Sequence, residues 1–233
     1  MKTIGLIGGM SWESSLEYYR ILNQATRDRL GGLHSAKIIM FSVDFADLVV
    51  MQHEGDWAGL ADILVEAAQK LQMAGASMVL LGANTMHRLA EDVEARISIP
   101  LLHIADATAD QVNAQGLQRV GLLGTQFTME QDFYRQRLSA HGLEVLVPAL
   151  PGREAVHRII YDELCQGRVE PASRQTVLDL CQELVAAGAE GVVLGCTELE
   201  LLVAQDHATV SLFATTRIHA EAAVHLALGL EGI

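Results

Sequence analysis

The chain has 233 residues, of which 50% are hydrophobic and 19% charged, and its formal net charge is −13 at pH 7. This length allows one large domain or two small ones with well-buried cores. The acidic balance argues against nucleic-acid binding, which needs clustered Lys and Arg. A small acidic substrate remains possible, because a few local cations can reverse the field inside a cleft.

The chain contains only three cysteines, Cys165, Cys181 and Cys196. They are too few and too irregularly spaced for a disulfide framework or a structural zinc site, so we expect no metal and a reducing cytoplasm as the compartment. The N-terminal segment has neither the long apolar stretch nor the cleavage site of a signal peptide. No apolar run is long enough to cross a bilayer, so we expect no membrane association.

The first part of the chain is predicted to alternate short apolar strands with helices. The predicted strands cover residues 2–7, 37–43 and 77–81. The predicted helices cover residues 11–30 and 57–73, with a broken helix containing Gln52 between them. Gly8 and Gly9, after the first strand, have neither the GxGxxG nor the GK[ST] spacing, so they are weak evidence for a nucleotide site.

The same pattern restarts near Ile99 and Pro100. The predicted strands cover residues 101–104, 119–123, 144–147, 191–195 and 209–213. The predicted helices cover residues 105–115, 129–141, 155–165, 172–187 and 218–229. Strands that alternate with helices predict the α/β class, with parallel sheets covered by helices on both faces.

The two parts of the chain also resemble each other in sequence. GLIG at residues 5–8 matches GLLG at residues 121–124, and GASMVLLGANT at 75–85 matches GAEGVVLGCTE at 188–198. We therefore expect two half-chains of one design, too few for a solenoid. If the halves face each other, the turns after their strands converge on one cleft, with Cys196 opposite Ala83.

Cys196 lies at the centre of the most informative stretch, GVVLGCTELE at residues 191–200. A buried parallel strand is predicted to end just before Cys196, and open α/β sheets bind ligands at such strand ends. The backbone N–H groups that begin the next helix favour a thiolate. The alternative is a small, buried, apolar cysteine with no chemical role.

Five motifs together resemble the aspartate/glutamate racemase family, and most closely its broad-specificity amino-acid racemase branch. They are IGLIGGMSWESS near the start, ANTMH at residues 83–87, GTQFTM at 124–129, LGCTELE at 194–200 and TTRIHAEAA at 215–223. The resemblance implies two pseudo-symmetric flavodoxin-like domains with the active site between them, formed by residues 1–98 plus 217–233 and by residues 99–216. It also implies catalysis without pyridoxal phosphate or metal, and a homodimer.

The resemblance further implies roles for single residues. Cys196 is the expected acid/base at the substrate α-carbon. The residues expected to bind the substrate are Met10, Ser11, Gln52, Ala83, Asn84, Thr85, Thr125, Thr128, Cys165 and Thr197. Gln52 and Cys165 occupy positions where relatives often carry a cationic side chain. In this chain neither residue supplies that positive charge.

Several of these residues also have a simpler structural interpretation. Ser11 can serve only as a helix cap, and Asn84 and Thr85 can satisfy the backbone of a turn. His87 and His219, at predicted helix starts, either serve an anionic site or bond locally.

Ala83 is the important departure from the family pattern. Inversion of a stereocentre needs proton transfer on both faces of the α-carbon, and relatives have Cys or Thr where this chain has an alanine. Water or Thr85 could replace the missing group, Cys196 could act alone, or the alanine could be a substitution made to trap a ligand. The alternatives to a racemase are a one-cysteine decarboxylase or isomerase similar to arylmalonate decarboxylase, and a catalytically silent amino-acid-binding protein.

Overall fold

The computed structural model describes residues 1–230, which form two compact units. Unit 1 contains residues 1–103 and the chain from His219 onward, and unit 2 contains Ile104–Ile218. The final part of the predicted first lobe, residues 231–233, lies outside the described residues. None of the helices described is both long enough and apolar enough to cross a membrane.

Unit 1 is built on a parallel four-stranded sheet with the order β2-β1-β3-β4. Its strands are β1 (Ile4–Gly8), β2 (Ile38–Ser42), β3 (Met78–Leu81) and β4 (Leu101–Leu102). The first four helices are α1 (Trp12–Leu30), α2 (Phe45–Glu54), α3 (Trp57–Met73) and α4 (Ala90–Glu94), and a 3-10 helix, Thr85–Leu89, precedes α4.

The central strand β1 is apolar throughout because helices cover both faces of its sheet. Ile4 and Leu6 belong to a core cluster that includes residues of α1 and of the C-terminal helix. Ile7 points to the opposite face, where it joins a cluster with residues of α2, α3 and α4. The period-two alternation of a strand therefore distributes one short segment over two cores.

Unit 2 repeats this architecture with the sheet order β6-β5-β7-β8, again fully parallel. Its strands are β5 (Arg119–Gly124), β6 (Glu144–Leu146), β7 (Gly191–Gly195) and β8 (Ser211–Ala214). Its helices are α5 (Ile104–Ala114), α6 (Gln126–Glu130), α7 (Asp132–Ala140), α8 (Leu150–Arg158), α9 (Pro171–Ala186) and α10 (Leu199–Leu202), and α11 (Thr215–Leu228) follows β8. The α/β class with two helix-covered parallel sheets is confirmed.

Three predicted helices differ from those observed. The segment with Gln52 is the single helix α2, and the predicted helix 129–141 is divided by Gln131, whose backbone is extended, with φ −82° and ψ 150°. The predicted helix 155–165 begins earlier, at Leu150, because Pro151 is tolerated in a first helical turn, where its missing N–H is not needed. It continues as a π-helical turn, Ile159–Glu163.

His219 anchors α11 within unit 1 through two buried hydrogen bonds. Its Nε2 lies 2.8 Å from the carbonyl oxygen of Leu102, and its Nδ1 lies 2.8 Å from the hydroxyl of Tyr18. A carbonyl only accepts, so Nε2 carries the proton and Nδ1 accepts from Tyr18. Burial, together with the neighbouring His87, lowers the pKa of His219 from 6.5 to about 3, so the ring is neutral at physiological pH.

Glu200, on α10, contacts the first turn of α11. Its Oε1 accepts a hydrogen bond of 2.6 Å from the backbone N–H of Thr216, in the first turn of α11. Burial raises the pKa of Glu200 to about 7, although the hydrogen bonds from Thr216 and Arg217 oppose this shift. The helix thus depends on two buried titratable groups whose pKa values are displaced in opposite directions.

We predict that the free energy of unfolding of the His219→Gln variant falls less steeply towards acid pH than that of the unmodified chain. Because the folded-state pKa lies below the unfolded value, His219 contributes its full stability above about pH 6.5 and loses it as the pH falls towards 3. This loss amounts to roughly 3 kcal/mol between pH 6.5 and 4. Thermal unfolding followed by circular dichroism across this range is the measurement, and an acid slope identical to that of the unmodified chain contradicts the prediction.

We predict the opposite change for Glu200→Gln. A carboxyl with a raised pKa contributes its stability below the unfolded value of about 4.3 and loses it as the pH rises through 7, so Glu200 offsets His219 between pH 4.5 and 6.5. The glutamine side chain does not titrate, so the variant lacks this offset. The midpoint temperature of the variant should therefore fall more steeply towards acid than that of the unmodified chain, and a shallower fall would refute the assignment.

Candidate active site

The pairing of β5 with β7 places two candidate residues side by side in unit 2. The strands are parallel and in register to their last residues, where Gly124 lies opposite Gly195. Thr125 directly follows Gly124, and Cys196 directly follows Gly195. Both therefore lie at the carboxyl edge of the sheet, where α/β proteins bind ligands.

Thr125 and Thr128 form a small hydroxyl pair beside this edge. Thr125 caps α6 by accepting a hydrogen bond of 3.2 Å from the backbone N–H of Thr128, and the two hydroxyl oxygens lie 3.2 Å apart. A Cβ on Gly124 would lie 2.8 Å from the carbonyl oxygen of Gly195, and one on Gly195 would lie 3.3 Å from the Thr128 methyl group. The two glycines therefore allow the strand ends and the threonines to approach closely.

Cys196 and Thr197 both bond to one carboxylate, that of Glu198. The Sγ of Cys196 lies 3.0 Å from Oε2 of Glu198, and the hydroxyl of Thr197 donates to the same oxygen at 2.7 Å. All three side chains are buried. The thiol and the carboxylate are thus poised to exchange a proton directly.

The electrostatics of Cys196 differ from the sequence-based expectation of a thiolate. Burial raises the pKa of the thiol well above its ordinary value of 9.0, and the negative charge of Glu198 and the neighbouring Cys165 raise it further. The helix that follows, α10 (Leu199–Leu202), has only four residues, so its N-terminus offers little opposing positive potential. The resting form of Cys196 is therefore the protonated thiol.

Cys165 and Tyr161 complete the surroundings of Cys196. Cys165 is half-buried and follows the π-helical turn that carries Tyr161. Burial raises the pKa of the Tyr161 hydroxyl, and the charges of Cys196, Cys165 and Glu198 raise it further, which places all four groups within one electrostatic neighbourhood. π-Helical turns often mark functional sites because they redirect side chains within a helix.

The candidate residues of unit 1 lie at the carboxyl edge of its own sheet. Ser11 caps α1 by accepting from the N–H of Ser14, and the Ser14 hydroxyl donates to the carbonyl of Gly82 at the end of β3. Asn84 and Thr85 follow Gly82 and Ala83 along the chain and are buried. The turns after β1 and β3 are thereby joined.

The turn before Ser11 requires glycine for a physical reason. Gly9 has a φ of +89°, and a Cβ at this position would collide with the backbone of Val43. Its N–H donates to the hydroxyl of Ser15 at 2.7 Å. Met10, the next residue, is buried.

Ala83 and Gln52 are the remaining predicted residues of unit 1. Ala83 is half-buried, and its carbonyl accepts a hydrogen bond of 2.9 Å from Nδ1 of His87, one helical turn further on. Gln52 is buried in the last turn of α2. The structure therefore places each of them inside unit 1, Ala83 in the turn after β3 and Gln52 on the helix that follows β2.

Sequence reasoning missed Glu198 and Tyr161. The signal for Glu198 was a carboxylate two residues after a strand-end cysteine, within the quoted stretch LGCTELE. No local signal identified Tyr161, because the π-helical turn that orients it is not encoded in a hydrophobic period. Across the described part of the chain, no three His, Cys, Asp or Glu side chains are arranged to hold a metal ion.

Comparison with known proteins gives a consistent family match. The family model described as Asp/Glu/Hydantoin racemase matches residues 7–223. A curated relative, the broad specificity amino-acid racemase RacX of Bacillus subtilis (strain 168), is 26% identical over 147 residues. That alignment covers 62% of this chain and 61% of the relative, so the match spans about three fifths of its length.

Two solved structures match over nearly the whole chain. A putative Asp/Glu racemase from Yersinia pestis is 52% identical, with a TM-score of 0.91, and 98% of this chain and 100% of that chain are covered. An aspartate racemase homologue from Pyrococcus horikoshii OT3 is 36% identical, with a TM-score of 0.86 and the same coverage.

We predict that Glu198→Gln makes Cys196 easier to alkylate. The substitution removes a negative charge beside the thiol, so the pKa of Cys196 falls and thiolate forms at a lower pH. The rate of iodoacetamide modification, measured for each cysteine by peptide mass spectrometry, should rise at least about tenfold at pH 8 if the pKa falls by one unit or more.

Cys181 is the internal control for this experiment. Burial raises its pKa to about 11, and it lies on α9, away from Glu198 in the sequence, so its modification rate should be the same in both proteins. An unchanged rate at Cys196 would show that Glu198 does not control its thiol.

Proposed function

Because the chain belongs to the Asp/Glu/Hydantoin racemase family, we propose that it is an amino-acid racemase that works without pyridoxal phosphate or metal. Cys196 is the proposed acid/base at the substrate α-carbon. The observation that carries this proposal is the buried Cys196–Glu198 pair at the carboxyl edge of the unit 2 sheet. The substrate class is a small acidic or neutral amino acid.

The pair supplies a route for the proton that the thiol must lose. Cys196 rests as a thiol, so it can act as an acid at once, but it must be deprotonated before it can act as a base. The proton passes from Sγ to Oε2 of Glu198 over 3.0 Å. The thiolate then takes the α-proton, whose bonding electrons remain on the substrate as an enediolate.

The hydroxyl and amide groups at the strand ends are proposed to hold the substrate carboxylates. Donors that point towards developing negative charge lower the barrier to loss of the α-proton. Thr125, Thr128 and Thr197 supply such groups in unit 2, close to Cys196 in the fold. In unit 1 we assign the same role to Met10, Ser11, Asn84 and Thr85, with Gln52, Ala83 and Cys165 as further substrate contacts.

Thr197 has an additional role within this proposal. Its hydroxyl donates to Oε2 of Glu198, which is also the oxygen that faces Cys196. One lone pair of this oxygen is therefore already engaged by Thr197. This contact holds Glu198 in place beside the thiol. Thr197 thus positions the acceptor of the Cys196 proton as well as lying near the substrate.

Ala83 favours a second candidate function. Alanine can neither donate nor accept a proton, so only one of the two strand-end turns that matched in sequence carries a thiol. A one-cysteine decarboxylase or isomerase of a small carboxylate needs protonation from one side only. For a racemase, water or Thr85 must act on the other face.

We also propose a homodimer in a reducing compartment, the cytoplasm. The compartment follows from the chemistry, because Cys196 functions only as a thiol and oxidation to a disulfide would remove its acid/base role. No nucleic acid or membrane is part of the proposed function.

We predict that Cys196→Ser lowers exchange of the substrate α-proton with solvent by at least about a hundredfold, the usual range for loss of a general acid/base. Proton NMR of L- and D-aspartate, glutamate and several neutral amino acids in deuterium oxide is the measurement.

Glu198→Gln should also slow exchange, although it makes Cys196 easier to alkylate, because the thiol proton then lacks its acceptor. Exchange that is faster in Glu198→Gln would contradict the relay.

Two further variants separate the candidate functions. Cys181→Ser is the matched control, because it removes a buried thiol that lies on α9, and exchange should continue. Ala83→Cys should increase racemisation if only the second base is missing. Release of carbon dioxide from a malonate without amino-acid exchange would identify the decarboxylase, and saturable amino-acid binding without either reaction would identify a silent binding protein.

A further inference from the structure

Unit 2 contains a cavity of about 450 Å³ between helix α9 and the connection that leads into β8. Leu178, Cys181 and Val185 line it from α9, and His207 and Val210 line it from the connection. Its volume is that of about fifteen water molecules in the liquid. Pockets that bind small organic molecules have volumes of this order.

The cavity lies at the opposite edge of the sheet from Cys196. Gly191 at the start of β7 pairs with Ser211 at the start of β8, and Val210 directly precedes Ser211. Cys196 instead follows Gly195, at the far end of β7. The length of this strand separates the two levels by about 13 Å at the usual rise per residue. The cavity is therefore distinct from the proposed catalytic edge.

Hydrogen bonds hold the connection that forms one wall of the cavity. Nε2 of Gln205 donates to the carbonyl oxygen of Val210 at 2.9 Å, and its Oε1 accepts from the N–H of Leu212 at 2.8 Å. Nδ1 of His207 accepts from the N–H of Ala204 at 3.1 Å. The other wall, α9, packs its buried side into the core of unit 2. Both walls are thus fixed before a ligand arrives, which lowers the entropic cost of binding.

The lining of the cavity is uncharged, although the chain as a whole is acidic. The ten lining residues in the described part of the chain include no Asp, Glu, Lys or Arg. Two carboxylates approach lining residues from outside: Asp179 accepts from the Gln175 amide at 2.8 Å, and Asp206 lies 3.9 Å from Nε2 of His207. An anion would be repelled by these carboxylates, and a cation inside the cavity would have no charged partner. The lining therefore favours a neutral ligand.

Polar groups are present only on part of the lining. Because Nδ1 of His207 accepts a hydrogen bond, Nε2 carries the ring proton and can donate to a ligand. The side chains of Gln182 and Thr209 are exposed and add further hydrogen-bonding groups. An apolar surface with a few polar groups is the usual composition of a small-molecule site, where the polar groups fix the orientation of the ligand.

We propose that this cavity is a second small-molecule site, separate from the site of the proposed reaction. Its ligand is a neutral compound with a compact apolar body and a carbonyl or hydroxyl oxygen. The apolar body packs against Leu178, Cys181 and Val185, and the oxygen accepts a hydrogen bond from Nε2 of His207. Acidic amino acids do not fit this description, so the site does not bind the substrates of the proposed racemase.

The test compares three probes of the same shape and different charge. Indole-3-carboxamide is neutral, indole-3-carboxylate is an anion and indol-3-ylmethanamine is a cation at pH 7. The amide should bind saturably with a Kd of about 1 mM or lower, and the two ions at least about tenfold more weakly. Binding is measured by titration of the isotope-labelled protein followed by amide NMR. The shifts should be confined to α9 and residues 205–212, and excess L-aspartate should not reverse them.

Two matched variants locate the bound probe. Ala186→Trp places an indole in the cavity from the last residue of α9 and should weaken binding of the amide at least about tenfold. Ala140→Trp, at the exposed last residue of α7, is the control and should bind like the unmodified chain. Thr209→Trp fills the cavity from the opposite wall and replaces Ala186→Trp if that variant does not fold. No saturation by the amide, equal binding of all three probes, or full binding in the cavity-filling variant would each overturn the proposal.

Discussion

The parallel pairing of β5 with β7 up to their terminal glycines is the constraint on which the candidate site depends. It places Thr125 and Cys196 next to each other, although they lie 71 positions apart in the sequence. Glycine is favoured at both strand ends because a Cβ on Gly124 would lie 2.8 Å from the carbonyl oxygen of Gly195, and one on Gly195 would lie 2.7 Å from the Leu122 side chain. The chemistry of the site therefore begins with a packing requirement.

Burial then decides the protonation of the groups that this pairing brings together. Cys196, Thr197 and Glu198 follow β7 directly and have little contact with solvent. In such surroundings the thiol remains protonated, and a neighbouring carboxylate strengthens this preference. The same physical effect displaces the pKa of His219 and of Glu200 at the start of α11. In a buried site of this kind a proton can pass between fixed neighbours, as between Cys196 and Glu198.

The α/β class, the two parallel sheets and most of the strands followed from the hydrophobic pattern, because buried parallel strands read as short apolar runs. The helices were less accurate where a break or an unusual turn depends on one residue, as at Gln131 and in the π-helical turn Ile159–Glu163. The position of Cys196 at a strand end was correctly predicted. Its protonation was not, since the expectation considered the helix N-terminus and omitted Glu198.

The sequence by itself determined where strands end, which residues are small enough to end them, and which family the motifs resemble, because these are properties of consecutive residues. Only the tertiary structure decided that Glu198 faces the thiol, that Tyr161 and Cys165 lie beside it, and that one side of α1 is buried while the other is exposed. The positions of Tyr161 and Cys165 depend on contacts between residues that are distant in the sequence. Glu198 is close to Cys196 in the sequence, but the orientation of its carboxylate depends on the folded turn and on the exclusion of water.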